Sequence, residues 1–84
     1  MDFLLKKEMV VIEVKKSRKG LDAKRLGEEL LIDMAHYRNH SECRTLICFA
    51  YDPENRIVNP AGLEADLSRD DPDLTVRVII SPKN

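Results

Sequence analysis

Eighty-four residues make one small domain, of a size that buries only about 60% of the surface its unfolded chain exposes. Hydrophobic residues make up 43% and charged residues 35%, with a net charge of −1; this excludes a disordered chain and leaves the mean charge silent about partners. The two cysteines, Cys43 and Cys48, exclude a disulfide framework or a Cys-x-x-Cys site, and no apolar run reaches the ~18 residues of a membrane span, so the expectation is a reduced, cytoplasmic protein with no membrane partner.

Phe3-Leu4-Leu5 and Met9 to Val14 read as two strands joined at Lys6-Lys7-Glu8, the second rich in β-branched residues. Lys16 to Gly20 is a basic, turn-prone connection. A helix is expected from about Ala23 to His40, with Asp22 as N-cap and Leu26, Leu30, Met34 and Tyr37 on one apolar stripe. Thr45 to Tyr51 is a near-continuous apolar strand, a pattern that suits cover on both faces. Asp52-Pro53-Glu54-Asn55 is a turn, and Ala61 to Arg69 a short helix opened by Pro60. Leu74 to Ile80 is the last strand. The order β-β-α-β-α-β indicates one α/β domain over residues 1–84, a mixed sheet with an N-terminal hairpin and helices packed on it.

Charge is unevenly spread. Lys6 to Arg25 carries eight basic residues against three acidic, and Asp52 to Asp73 seven acidic against two basic. Such polarity can turn a positive face to a polyanion, although on charge alone two solvated surfaces are the favoured reading.

The first hairpin holds the chemistry. With an even-numbered turn, Asp2 stands opposite Glu13, at ~5 Å between Cβ atoms. Lys15, two residues on, projects from the same face as Glu13. An odd-numbered turn displaces Asp2 by one residue. Two opposed carboxylates repel, and a bound cation reverses the sign of that interaction. Mg²⁺ suits one or two carboxylates plus water and phosphate oxygens, and the Val14 carbonyl offers another oxygen. Beside such an ion, Lys15 can orient water or stabilise charge on a phosphate.

Asp2 followed by Glu13-Val14-Lys15, with a helix from Ala23 and a strand from Thr45, resembles the PD-(D/E)XK nuclease superfamily, the restriction-endonuclease-like fold. The resemblance implies a metal-dependent DNA nuclease using Mg²⁺ or Mn²⁺, with Asp2, Glu13 and the Val14 carbonyl as ligands and Lys15 as the catalytic lysine. It covers most of the chain and departs from the pattern in three places. Met1 stands where the motif has proline. The family core begins with a helix and strand upstream of the aspartate, so these residues resemble the C-terminal part of that core. Many relatives carry Gln-x-x-x-Tyr on the following helix, where this chain has Glu29, Asp33 and Tyr37; the resemblance thus implies Glu29 and Asp33 in support of the site.

Lys16, Arg18, Lys19, Lys24 and Arg25 follow the site directly. They are either a solubilising loop or contacts to the nucleic-acid backbone, and an acidic metal site needs such contacts to draw in a polyanion. His36, His40 and Cys43 lack a fourth zinc ligand and read as ordinary helix-end residues. The competing expectation is a non-catalytic nucleic-acid-binding or protein-interaction module on the same scaffold, with a sheet edge open to pairing, homodimerisation included.

Overall fold

Lys6 to Met9 close the first hairpin with a four-residue turn between Leu5 and Val10. Met9 takes a positive φ of 59°, and its N–H donates to the Lys6 carbonyl at 3.2 Å. The turn length is even, so the register falls as the sequence predicts: Asp2 opposite Glu13, Phe3 opposite Ile12, Leu5 opposite Val10. The structure, a computed structural model, describes residues 2–20 and 22–82.

The elements are β1 (Asp2–Leu5), β2 (Val10–Lys16), α1 (Ala23–Arg38), β3 (Thr45–Tyr51), α2 (Pro60–Leu67), β4 (Arg69–Asp70) and β5 (Thr75–Ser81). They form a mixed five-stranded sheet of order β1-β2-β3-β5-β4. β2, β3 and β5 run parallel, and the outer strands β1 and β4 pair antiparallel. The helices serve as the crossovers that parallel neighbours require.

Each strand alternates between two faces. Val11, Leu46 and Val76 lie side by side on one of them, with Cys48 and Val78, then Ala50 and Ile80, in the next rows. All are buried, and Leu26, Leu30 and Met34 of α1 close over them. Leu63 and Leu67 of α2 pack on the same cluster, so both helices cover one face. Asp22 caps α1 by accepting the Arg25 N–H at 3.0 Å, and Asn59 caps α2 by accepting the Gly62 N–H at 3.2 Å.

Three expectations change. β3 is not covered on both faces: Leu46, Cys48 and Ala50 are buried, whereas Ile47 and Phe49 are half-buried and Tyr51 exposed. Both crossovers return on the same side, so among the described residues nothing lies over the other face. α1 stops at Arg38 rather than His40, with Asn39 as its C-cap. α2 stops at Leu67 rather than Arg69. Ser68 turns extended, at ψ 138°, and its hydroxyl accepts the Val78 N–H at 3.0 Å. Arg69 and Asp70 then pair with Val76 and Thr75 as an edge strand. Ladder hydrogen bonds outcompete one more half-turn of helix there.

Candidate active site

The hairpin register places Asp2 directly across from Glu13. The two carboxyl groups face each other, and their titrations are pushed apart. The hydrogen bond from Glu13 holds Asp2 below the usual aspartate value; burial first, and then the bond to Asp2, push Glu13 up to about 7. Tyr37, on the penultimate position of α1, donates its hydroxyl to Asp2 Oδ2 at 3.3 Å. Burial and then the negative charge of Asp2 and Glu13 raise the Tyr37 phenol to about 12, so it remains a donor at any ordinary pH.

Lys15 reaches the same spot along β2. Its Nζ lies 3.0 Å from Asp33 Oδ2, 3.6 Å from Glu29 Oε1 and 4.0 Å from Glu13 Oε1. Asp33 and Glu29 stand one helical turn apart on α1, on the side turned to the sheet. Burial opposes the Lys15 charge, but Asp33, Glu13 and Glu29 outweigh it and hold its pKa above the ordinary lysine value. The 3.0 Å contact to Asp33 is an ion pair without hydrogen-bond alignment, which leaves the buried Oδ2 of Asp33 with no hydrogen bond. Thus Asp2, Glu13 and Lys15 converge, with Glu29 and Asp33 beside them.

A cleft of about 680 Å³ opens in front of Glu13 and Lys15. Lys16, Arg18 and Lys19 line it, whereas Lys24 and Arg25, on the first turn of α1, do not. Arg18 and Arg25 both pair with Glu29 Oε2, at 3.7 Å each. Asp2 lies outside the lining, behind Glu13 on the neighbouring strand.

Sequence reasoning missed the other wall. Asp52 counts there as one of seven acids in a solvated segment, yet it is 2% exposed. Its carboxylate accepts the Ser17 hydroxyl at 2.6 Å, the Arg56 N–H at 2.9 Å and the Ile57 N–H at 2.9 Å. Burial raises its pKa, but these three donors outweigh it and hold the group below the ordinary aspartate value. Ser17 itself is buried, and its N–H donates to the Tyr51 carbonyl at 2.8 Å. The bond ties the turn after β2 to the turn after β3 and brings Arg56 to the cleft. A usable signal was present: an Asp that ends an apolar strand and precedes Pro often caps its own turn.

The donor set suits a hard divalent cation. Among the described residues no group of three or more His, Cys, Asp or Glu forms a ready-made metal cluster; the available oxygens are those of Asp2 and Glu13, with backbone carbonyls. Burial and the facing Asp2 carboxyl raise Glu13 to about 7 despite Lys15, so a cation seated between the two carboxyls would favour the ionised form.

Neither the curated proteins nor the solved structures produced a match. A family model described as REase_DpnII-MboI matches residues 1–83, which agrees with the restriction-endonuclease-like resemblance carried by Asp2 and Glu13-Val14-Lys15. The match takes in both strands of the Asp2/Glu13 pair, the helix that supplies Asp33 and both walls of the cleft, and the chain belongs to the DpnII-MboI restriction endonuclease family.

Proposed function

We propose that this chain is the metal-dependent core of a DNA endonuclease that hydrolyses phosphodiester bonds at Asp2, Glu13 and Lys15. The observation that carries the reading is the Asp2–Glu13 register, with the Lys15 ammonium at 4.0 Å from Glu13. Asp2, Glu13 and the Val14 carbonyl would hold Mg²⁺ or Mn²⁺, which when bound neutralises phosphate charge and acidifies water. Tyr37 orients Asp2 through its hydroxyl. Asp33 and Glu29 keep Lys15 charged and beside the carboxylate pair, where its Nζ can donate to a phosphate oxygen as negative charge develops. Lys16, Arg18 and Lys19 line the cleft and supply sequence-independent contacts to the DNA backbone; Lys24 and Arg25 extend that surface along α1. Two buried, free thiols, Cys43 and Cys48, fit a reducing, cytoplasmic setting, and no helix among the described residues is long and apolar enough to cross a membrane.

The proton on Glu13 makes metal binding pH-dependent. Its folded-state value, about 7, lies above the ordinary 4.5. Without metal, the stability this group contributes is therefore full below 4.5 and is lost as pH rises towards 7. A metal competes with that proton, so Mg²⁺ or Mn²⁺ should bind about tenfold more tightly at pH 8 than at pH 6. Titration followed by backbone amide signals checks this, with the response centred on Asp2, Glu13 and Val14. Absence of a localised response at pH 8 rules out the metal site.

A second reading, an interaction module or homodimer on the nuclease scaffold, is favoured by one observation. Phe3 and Leu5 on the outer strand β1, with Tyr51 and Ile79, leave 42–47% of their surfaces exposed on the face away from the helices. Sedimentation across a hundredfold concentration range tests it; a strict monomer that cleaves DNA efficiently would exclude it.

A further inference from the structure

Arg56 belongs by sequence to the acidic half of the molecule, but the fold gives it to the basic cleft. Three observations single it out. Its backbone N–H is held by the buried carboxylate of Asp52, which also holds Ser17 at the root of the opposite, basic turn. Its side chain is exposed and lines the cleft that Glu13 and Lys15 also line. Its guanidinium has no ion pair within 4 Å among the described residues, whereas Arg18 on the facing wall is engaged with Glu29 at 3.7 Å.

We propose that Arg56 is a phosphate-binding residue: a nucleic-acid strand lies between the turn of Lys16 to Lys19 and the turn of Asp52 to Arg56, and the Arg56 guanidinium grips a backbone phosphate next to the one presented to Glu13 and Lys15. The inference rests on the nuclease reading and deepens it by adding the second wall of the substrate seat. A guanidinium matches a phosphate bidentately, with two parallel N–H···O bonds. Glu54 lines the same stretch of the cleft with the opposite charge, so a phosphate there is repelled from one side chain and drawn to the other. The buried Ser17–Asp52 bond, 2.6 Å long, fixes the spacing of the two walls before substrate arrives. Positioning of this kind on a rigid support is what a groove for a continuous polyanion needs.

Binding of a short DNA duplex, measured with Ca²⁺ in place of Mg²⁺ over a range of salt, tests the assignment. Arg56→Ala should weaken binding about five- to tenfold near 0.1 M salt and lower the slope of log affinity against log salt by about 1. Arg56→Lys should keep the slope and recover only part of the affinity, and in Mg²⁺ the loss should appear in KM. Alanine retains the N–H that Asp52 accepts, so the melting temperature should not move. Wild-type binding with unchanged affinity and slope in Arg56→Ala makes Arg56 a solvated surface cation and overturns the inference alone. A wild-type chain that neither binds nor cleaves DNA overturns the nuclease reading, and the role of Arg56 with it.

Discussion

Lys15→Ala is expected to lower DNA cleavage by a factor on the order of 10²–10³, the usual cost of removing one preorganised donor to a developing oxyanion. The loss should fall on kcat, because the lysine matters most when charge accumulates on the phosphate. Its surroundings explain why no neighbour substitutes for it. Arg18 and Arg25 are both occupied by Glu29, and within the carboxylate group of Glu13, Glu29 and Asp33 the ammonium is held between 3.0 and 4.0 Å from each partner. Lys15→Arg should not restore the rate, since a planar fork replaces a compact ammonium in a nearly closed space. Lys15→Ala also removes a positive charge beside Glu13, so Mg²⁺ should bind that variant at least as tightly as before. A variant that binds metal, melts cooperatively and does not cut isolates the chemical role. Cleavage at the wild-type rate in Lys15→Ala would mean that another protein in the preparation makes the cut.

Asp52→Ala should cost about 3 kcal/mol of stability, a large share of what a domain of this size possesses. The carboxylate is 2% exposed and accepts three donors. Alanine strands the Ser17 hydroxyl and two backbone N–H groups away from water. The corresponding fall in melting temperature is about 12–24 °C for a chain of this length. Asp52→Asn should lose less, about 1–2 kcal/mol, because Oδ1 can still serve Ser17 and Arg56 while the amide nitrogen meets the Ile57 N–H donor to donor. The pH dependence has a definite sign. Asp52 titrates below its ordinary 3.8 in the folded state, so its contribution is full above 3.8 and is lost as pH falls through the lower, folded value. Wild type should therefore lose stability below pH 3.8 more steeply than Asp52→Asn. Equal melting curves for wild type and Asp52→Ala would show that the two turns need no staple.

The sequence by itself determined the element order apart from β4 and the apolar stripe of Leu26, Leu30 and Met34, and it reduced the Asp2–Glu13–Lys15 convergence to the parity of one turn. Each follows from short-range rules: period 3.6 in a helix, period 2 in a strand, and a turn whose even length sets the register. The family signature rests on the same local geometry. Glu29 and Asp33 were legible only as far as the spacing of one helix face; their contact with Lys15 depends on how α1 crosses the sheet. Arg69 was misread as helical because its pairing with Val76 across a hairpin is an inter-strand interaction that single-residue propensity does not contain. The cover over Thr45 to Tyr51 was overestimated for a similar reason: an apolar run reports that a strand can be buried twice, and only the side on which both crossovers return decides that one face stays open. Most consequential is Asp52. Its charge reads as solvated acidity until Ser17, thirty-five residues away, folds against it. The Arg56 and Ile57 N–H groups come from the carboxylate's own turn, but tertiary structure alone could decide the Ser17 bond, because that donor arrives through the parallel pairing of β2 with β3. That pairing turned Arg56 from a member of an acidic segment into the second wall of a basic cleft.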